Sequence, residues 1–329
     1  MSGLDWSVLD IDLEHEAERI CAGLREAVAT RLRRRGLVVA ISGGIDSSVC
    51  AALAVRAVGA SKVHCLILPE RDSDPDSAAR ASLLVDTLGV SAETFDIAPA
   101  LEAIGAYAAR DAAVRTVLPE YRDDWKMKLA IAGGSEGAIN RFRLVAQSPD
   151  GALHERDLRL HEYLTIVAAT SYKQRLRKTI EYFHADRLHY AVVGTPNRLE
   201  YDQGFFVKNG DGSADVKPIA HLYKTQVYAM ARHLGLPERL CSAQPTTDTY
   251  SLEQGQDEFY FALPYRSMDL ALWALEHGVE AESLASALGV TVEQAAAVYE
   301  DIARKRRTTR PLHMRPILLG EVSAGDRVA

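Results

Sequence analysis

The chain has 329 residues, 47% hydrophobic and 25% charged, which suits a soluble globular enzyme built as one large or two smaller α/β domains. Its net charge of −7 argues against a non-specific nucleic-acid binder, and no apolar run approaches the roughly 20 residues that cross a membrane. Cys21, Cys50, Cys65 and Cys241 form no Cys-x-x-Cys pair, so reduced thiols in a cytoplasm are expected rather than disulfides or a cysteine zinc site. The acidic N-terminus carries no signal-peptide core. Residues 13–35 read as an amphipathic helix, with Ile20, Leu24, Val28 and Leu32 at i, i+4 spacing. A strand follows at 37–42, a helix at 46–58, a strand at 62–68, a helix at 75–88 and a strand at 92–97. This alternation predicts an α/β fold with a doubly wound, mainly parallel sheet flanked by helices, whose ligands bind at the carboxyl ends of the strands.

The rhythm breaks over 110–160, which reads as an insertion, part helical and part mobile, with turn signals at Gly133-Gly134 and Ser148-Pro149-Asp150-Gly151. No clear strand precedes Gly133-Gly134, so it is not read as a second phosphate loop. A long helix over 162–184 carries Lys173, Arg175, Arg177 and Lys178, and a strand follows at 188–193. Further on, 222–234 reads as a helix, and a helical tail is expected from about 264 to 308. The basic run Lys305-Arg306-Arg307 has two readings, a solvated helix end or a phosphate-facing cluster.

The most informative stretch is Ser42-Gly43-Gly44-Ile45-Asp46-Ser47-Ser48, which joins the first strand to an alanine-rich helix. A glycine turn at a helix N-terminus presents amides and positive potential to phosphate. It lacks the Gly-Lys-Ser/Thr of a Walker A loop and resembles the pyrophosphate loop of the ATP pyrophosphatases. The segment Gly194-Thr195-Pro196-Asn197-Arg198-Leu199-Glu200, followed by Gly204-Phe205-Phe206-Val207-Lys208-Asn209-Gly210-Asp211-Gly212 and Asp215, resembles the NAD synthetase signature. Lys224-Thr225-Gln226, Pro245-Thr246 and Gly255-Gln256-Asp257-Glu258 continue the likeness in the family's order.

The resemblance implies a single ATP-pyrophosphatase domain over 1–329 without a glutaminase domain, hence the ammonia-dependent form. It implies ATP-dependent amidation of deamido-NAD to NAD through an acyl-adenylate, releasing pyrophosphate and AMP. Residue by residue it places Ser42, Gly43, Gly44, Asp46, Ser47, Ser48, Thr195, Lys224 and Thr246 on ATP. It places Arg175, Lys208, Asp215 and His313 on deamido-NAD, and Asp46 and Glu200 on magnesium. Asp46, Lys224 and Lys208 would carry the catalytic burden. A cytoplasmic homodimer is implied, with Leu164, Val167, Ala168 and Tyr172 as a stripe that is either an interface or core packing. The source of ammonia, including a separate glutaminase, is left open.

Each residue has a plainer reading. Arg175 and Arg177, two apart on a helix, point in different directions, so at most one is expected at the site. Lys224 could be a solvated surface lysine, Asp211 a turn stabiliser and His313 a structural residue. Ser171 and Met314 stand where the family commonly has Asn and Lys. With the insertion, these departures keep two rivals in view: an enzyme amidating a different carboxylate, and a non-catalytic nucleotide-binding regulator.

Overall fold

A computed structural model describes residues 4–132, 141–243, 250–252 and 263–320. Four parallel strands form its central sheet: β1 (Leu37–Ala40), β2 (Val63–Ile67), β3 (Ser91–Thr94) and β7 (Ala191–Val192), in the order β3-β2-β1-β7. Alternate residues of β1 feed two separate cores. Leu37 and Val39 pack with α1 (Leu13–Glu26), α2 (Ile45–Val58) and α8 (Lys224–His233). Val38 faces α4 (Ala98–Ala103), α5 (Ala106–Val117) and α6 (Leu160–Leu188) through Leu101, Tyr107 and Ala185. Period-two alternation on a strand covered on both sides thus makes a doubly wound, three-layer sandwich.

Each helix forms for a local reason. Asp12 caps α1 by accepting from the His15 amide at 3.0 Å, and Ala17, Ile20, Cys21 and Leu24 form its buried face. The sequence pattern continues helical to Arg35, but α1 passes at Ala27–Arg31 into a short π-helical turn. In α2, Val49, Cys50, Ala51, Leu53 and Ala54 are all buried, because small side chains let the helix wedge between α1 and α8. Asp74 caps α3 (Pro75–Leu88), whose bounds coincide with those read from the sequence.

The region read as part helical and part mobile is helical at its start, where α5 runs to Val117, and then holds an antiparallel sheet: β4 (Lys126–Ala132), β5 (Arg141–Gln147) and β6 (Leu153–Asp157). Met127 and Leu129 of β4 stand opposite Ala146 and Leu144 of β5, and all four are buried. They cover Val114 of α5 and Ile166 of α6. The strict alternation Lys126-Met127-Lys128-Leu129 dictates this sheet, since a period of two hides only one face.

The C-terminal part is helical: α7 (Arg198–Gln203), α8, α9 (Glu238–Cys241), α10 (Tyr265–Glu276), α11 (Ala281–Leu288) and α12 (Val292–His313). Met268, Leu272, Leu284 and Ile302 gather with Leu199 and Tyr223 into a further core, which locks the tail to α7 and the start of α8. The tail helix continues past 308 to His313, with Pro311 in its last turn. Lys305 and Arg306 are engaged with acidic side chains, while Arg307 is exposed: Lys305 pairs with Asp301 at 2.6 Å, and Arg306 binds Asp202 at 2.7 Å and Glu276 at 3.1 Å.

Candidate active site

β1 and β7 are neighbours, and the chain departs from β1 toward β2 and β3 on the other side, so the sheet switches direction between them. A crevice opens at such a point beyond the carboxyl ends of the strands. Ser42–Asp46 follows β1 there, and Gly194–Glu200 follows β7. Gly43 has φ +78°, and a Cβ on it would lie 2.3 Å from the Ser77 carbonyl oxygen, so only glycine fits. Arg80 of α3 donates through Nε to the Gly43 carbonyl at 3.0 Å and holds the turn closed. Gly44 stands at the N-cap of α2 and has no side chain to cap it. Ser47 and Ser48 instead donate their hydroxyls to the Gly44 carbonyl, at 3.0 and 2.9 Å. Ser42 Oγ receives the Gly44 amide at 3.3 Å and lies 3.4 Å from Ser47 Oγ. The result is a tight loop at the positive end of a 14-residue helix.

Asp46 is where the crevice closes. Its Oδ1 accepts from Asn197 Nδ2 at 3.0 Å, and its Oδ2 takes a short hydrogen bond from Lys224 Nζ. Lys224 is 2% exposed, which overturns its reading as a solvated lysine. Burial opposes the ammonium charge, but Asp46 and Glu200 more than offset it and hold the Lys224 pKa above the ordinary lysine value. Glu200 joins through a capping box: Asn197 Oδ1 receives the Glu200 amide and Glu200 Oε2 receives the Asn197 amide, both at 3.2 Å. Two carboxylates therefore act on one ammonium, leaving an excess of negative charge in this trio. Such a site fits magnesium, which takes one or two protein carboxylates and completes its shell with phosphate oxygens.

A second cluster lies along α7 and the following loop. Lys208 Nζ donates to the Pro311 carbonyl at 2.7 Å, and Arg175 Nε donates to the Lys208 carbonyl at 3.3 Å. His313 meets Tyr201 and Phe206 edge-on, with ring centroids 5.1 Å apart in each case. Lys217 stands 4.7 Å over the Tyr201 ring and donates to the Gly212 carbonyl at 2.6 Å. Burial and then Lys217 push the His313 pKa below the usual histidine value. Arg175, Lys208 and His313 are thus brought together. Arg177 instead donates to the Leu68 carbonyl, as the helical spacing predicts for one of the two arginines.

Asp215 stands apart, accepting the Val192 amide at 2.7 Å and so pinning β7. Asp211 accepts the Val207 amide at 2.8 Å inside its own turn. Thr195 is half-buried on the loop leaving β7, while Thr246 and Gly255–Glu258 lie outside the described residues. Several residues in contact with the site did not stand out from sequence. Asn197 sits within the Gly-Thr-x-Asn motif, and that motif was its signal. Asp269 receives the Lys224 and Thr225 amides at 3.2 and 2.7 Å, and burial raises its pKa to about 7. Nothing in the local pattern announces it, because it lies in α10.

The NAD synthase family model matches residues 16–131 and 149–310. The chain belongs to the NAD synthase family. The match passes over 132–148, the stretch that includes β5. The chain is 56% identical over 315 residues, 95% of its own length and 94% of the relative, to the NH(3)-dependent NAD(+) synthetase of Rhizobium meliloti (strain 1021). Among solved structures it is similar to NMN synthetase from Francisella tularensis, at TM-score 0.66 and 21% identity over 94% of this chain and 99% of that one. It is also similar to the NH3-dependent NAD synthetase from Campylobacter jejuni, at TM-score 0.63 and 20% identity over 94% of this chain and 100% of that one. These structural likenesses show the shared α/β fold.

Proposed function

We propose that this NAD synthase is a carbon–nitrogen ligase that amidates deamido-NAD with ammonia at the expense of ATP. The observation that carries the reading is the pair of buried Lys224 with half-buried Asp46 at the mouth of the Ser42–Ser48 loop, where α2 points its N-terminus into the crevice. A carboxylate is a poor acyl donor. It attacks the α-phosphorus of ATP, the bond to pyrophosphate breaks, and an acyl-adenylate forms. Ammonia then attacks the carbonyl carbon and AMP leaves.

The chain's own part is positioning and electrostatics. The Ser42–Ser48 loop and Lys224 face the phosphate charge, and Asn197 keeps the Asp46 carboxylate oriented. Magnesium held by Asp46 and Glu200 would neutralise charge on the ATP phosphates. Thr195 and Thr246 are assigned to ATP, and Arg175, Lys208, Asp215 and His313 to the dinucleotide. The bonds of Arg175 to the Lys208 carbonyl and of the Lys208 ammonium to the Pro311 carbonyl support that grouping, and an arginine and a lysine suit a pyrophosphate-bearing substrate.

Ammonia as the direct nitrogen donor is supported by the cysteines. All four are buried, and burial raises each thiol pKa, to about 12 for Cys65 and well above the usual value for Cys50. None is set up as the thiolate that would release ammonia from glutamine. Four reduced thiols also support a cytoplasmic setting. No described helix is long and apolar enough to cross a membrane. A homodimer is supported by α6, on which Leu164, Ala168 and Tyr172 recur every four residues and are exposed, while Val167 packs inward.

The test is an assay with ATP, ammonia, magnesium and deamido-NAD that reads pyrophosphate and NAD together. Equal, magnesium-dependent release of both is expected. Pyrophosphate without NAD would point to a different acceptor carboxylate, and neither product would favour a regulator.

A further inference from the structure

His64 of β2, Glu93 of β3 and His184 near the end of α6 converge where the helix packs on the edge of the sheet. His64 stands opposite Ser91, and Glu93 lies two residues further on the same face of β3. Each offers one donor atom, and the three atoms lie within 4.8 Å of one another. His64 Nε2 is 3.4 Å from Glu93 Oε1, and His184 Nδ1 is 3.9 Å from the same oxygen. Ligand atoms around a tetrahedral zinc lie about 3.4 Å apart, given bonds of about 2.0–2.1 Å. Closure therefore needs only small side-chain movements. Among the described residues this is the one group of three such side chains so placed.

Independent observations point the donors inward. His64 is 8% exposed, yet its Nε2 has no hydrogen-bond partner, a costly arrangement for a buried polar atom. Its other nitrogen, Nδ1, lies 3.3 Å from Ser91 Oγ, the kind of outer contact that orients a ligating imidazole. His184 Nδ1 meets the Arg187 guanidinium at 2.9 Å, so this nitrogen presents a lone pair. Arg187 also donates to Glu93 Oε1 at 2.8 Å. The arginine is thus an internal cation at the mouth of the cluster, and with its side chain 46% exposed it can swing into solvent.

We propose that His64, Glu93 and His184 form a zinc site, separate from the amidation crevice, in which the metal displaces Arg187 and ties β2, β3 and α6 together. Two imidazoles and a carboxylate are the donors zinc prefers, with water to complete a tetrahedron. Edge strand β3 is exposed along its whole length, so a metal there would clamp the least supported strand of the sheet.

Zinc titration by calorimetry, in excess magnesium to fill the Asp46–Glu200 carboxylates, tests this directly. One zinc per chain and a raised melting temperature are expected. Glu93→Gln should weaken binding at least about tenfold, the least that loss of even an outer partner costs. Arg187→Ala should tighten it about tenfold, because two charge-assisted hydrogen bonds no longer compete. His184→Ala should abolish binding and leave amidation unchanged. No zinc uptake by the wild type, or uptake unaltered by Glu93→Gln, overturns the site. So does weaker binding in Arg187→Ala. Glu93 and Arg187 carry exposed side chains, so these variants keep the test decisive even where a histidine variant fails to fold.

Discussion

Buried Lys224 Nζ and half-buried Asp46 Oδ2, 178 residues apart in the chain, form a hydrogen-bonded ion pair that joins the N-terminus of α8 to the first turn of α2. Asp46→Asn removes the contact charge and leaves Lys224 buried beside Glu200 alone. Pyrophosphate release should fall at least about a hundredfold. The melting temperature should fall too, because breaking a buried pair from one side costs about 3 kcal/mol. In the double variant Asp46→Asn/Lys224→Met, stability should recover while activity stays lost. Turnover near the wild-type rate in Asp46→Asn would sink the assignment.

Asn197 makes two bonds of different kinds, and substitutions separate them. Its Oδ1 caps α7, while its Nδ2 donates to Asp46. Aspartate caps a helix as well as asparagine does but has no proton to give. Asn197→Asp should therefore keep a folded protein with strongly reduced kcat, since it also sets a third carboxylate near Asp46 and Glu200. Asn197→Ala should lose about 1 kcal/mol in denaturant unfolding along with activity. Wild-type kcat in Asn197→Asp would show that the cap alone matters.

The parallel sheet, the glycine loop and the Gly194–Asp215 segment were legible because each is a local pattern, a periodicity or a turn chemistry. The antiparallel sheet at 126–157 is written in the alternation of β4, yet the glycine-rich turn signals suggested a part-helical, part-mobile insertion instead. Asp269 and Arg80 were not legible at all. Each acts by closing a backbone group on a distant segment, and only packing brings the Asp269 carboxylate to the Lys224 amide and the Arg80 guanidinium to the Gly43 carbonyl. Lys224 shows the same limit. Its motif named the residue, but a lysine at the start of a helix looks solvated until α10 and α2 are seen to bury it.

Lys208→Ala tests the second cluster. Lys208 is exposed: its ammonium reaches the tail at the Pro311 carbonyl, and its own carbonyl accepts from Arg175. A charged hydrogen bond to substrate is worth roughly 1.5–3 kcal/mol, so KM for deamido-NAD should rise about ten- to a hundredfold. The KM for ATP should change little. Steady-state kinetics with each substrate varied decides it, and an effect confined to ATP would contradict the role.

Asp72 belongs to a buried network that holds α5 and α6 to the loop after β2. It accepts from Arg110 at 2.6 Å and from Lys173 at 3.0 Å, and Lys173 also binds Glu70 at 2.7 Å. Burial alone would raise the Asp72 pKa, but Lys173 and Arg110 outweigh it and hold the carboxyl below its ordinary value of 3.8. A carboxylate with a depressed pKa contributes stability above its unfolded pKa and loses it as pH falls through the folded one. Asp72→Asn should accordingly destabilise by about 1.5–3 kcal/mol at neutral pH. The gap from wild type should narrow as pH drops below about 4. Thermal melts of both proteins across that range check the sign, and a gap that widens toward acid would refute it.

Exposure of Leu164, Ala168 and Tyr172 favours the interface reading of the α6 stripe, while Val167 packs into the core. Leu164 is 53% exposed and Tyr172 is 43% exposed, on a helix whose other face is sealed by Ile166, Ala169 and Lys173. Apolar side chains repeated at four-residue spacing toward solvent are costly in a monomer and normal in a twofold contact, where one patch meets its own copy. Light scattering at micromolar concentration should therefore give twice the chain mass of 36.0 kDa. Leu164→Glu should place two like charges near the symmetry axis and shift the mass to that of a single chain. The variant should keep its melting cooperativity, because Leu164 contributes little to the core. A wild-type protein that stays at one chain mass at every concentration, with full activity, would rule out an obligatory dimer.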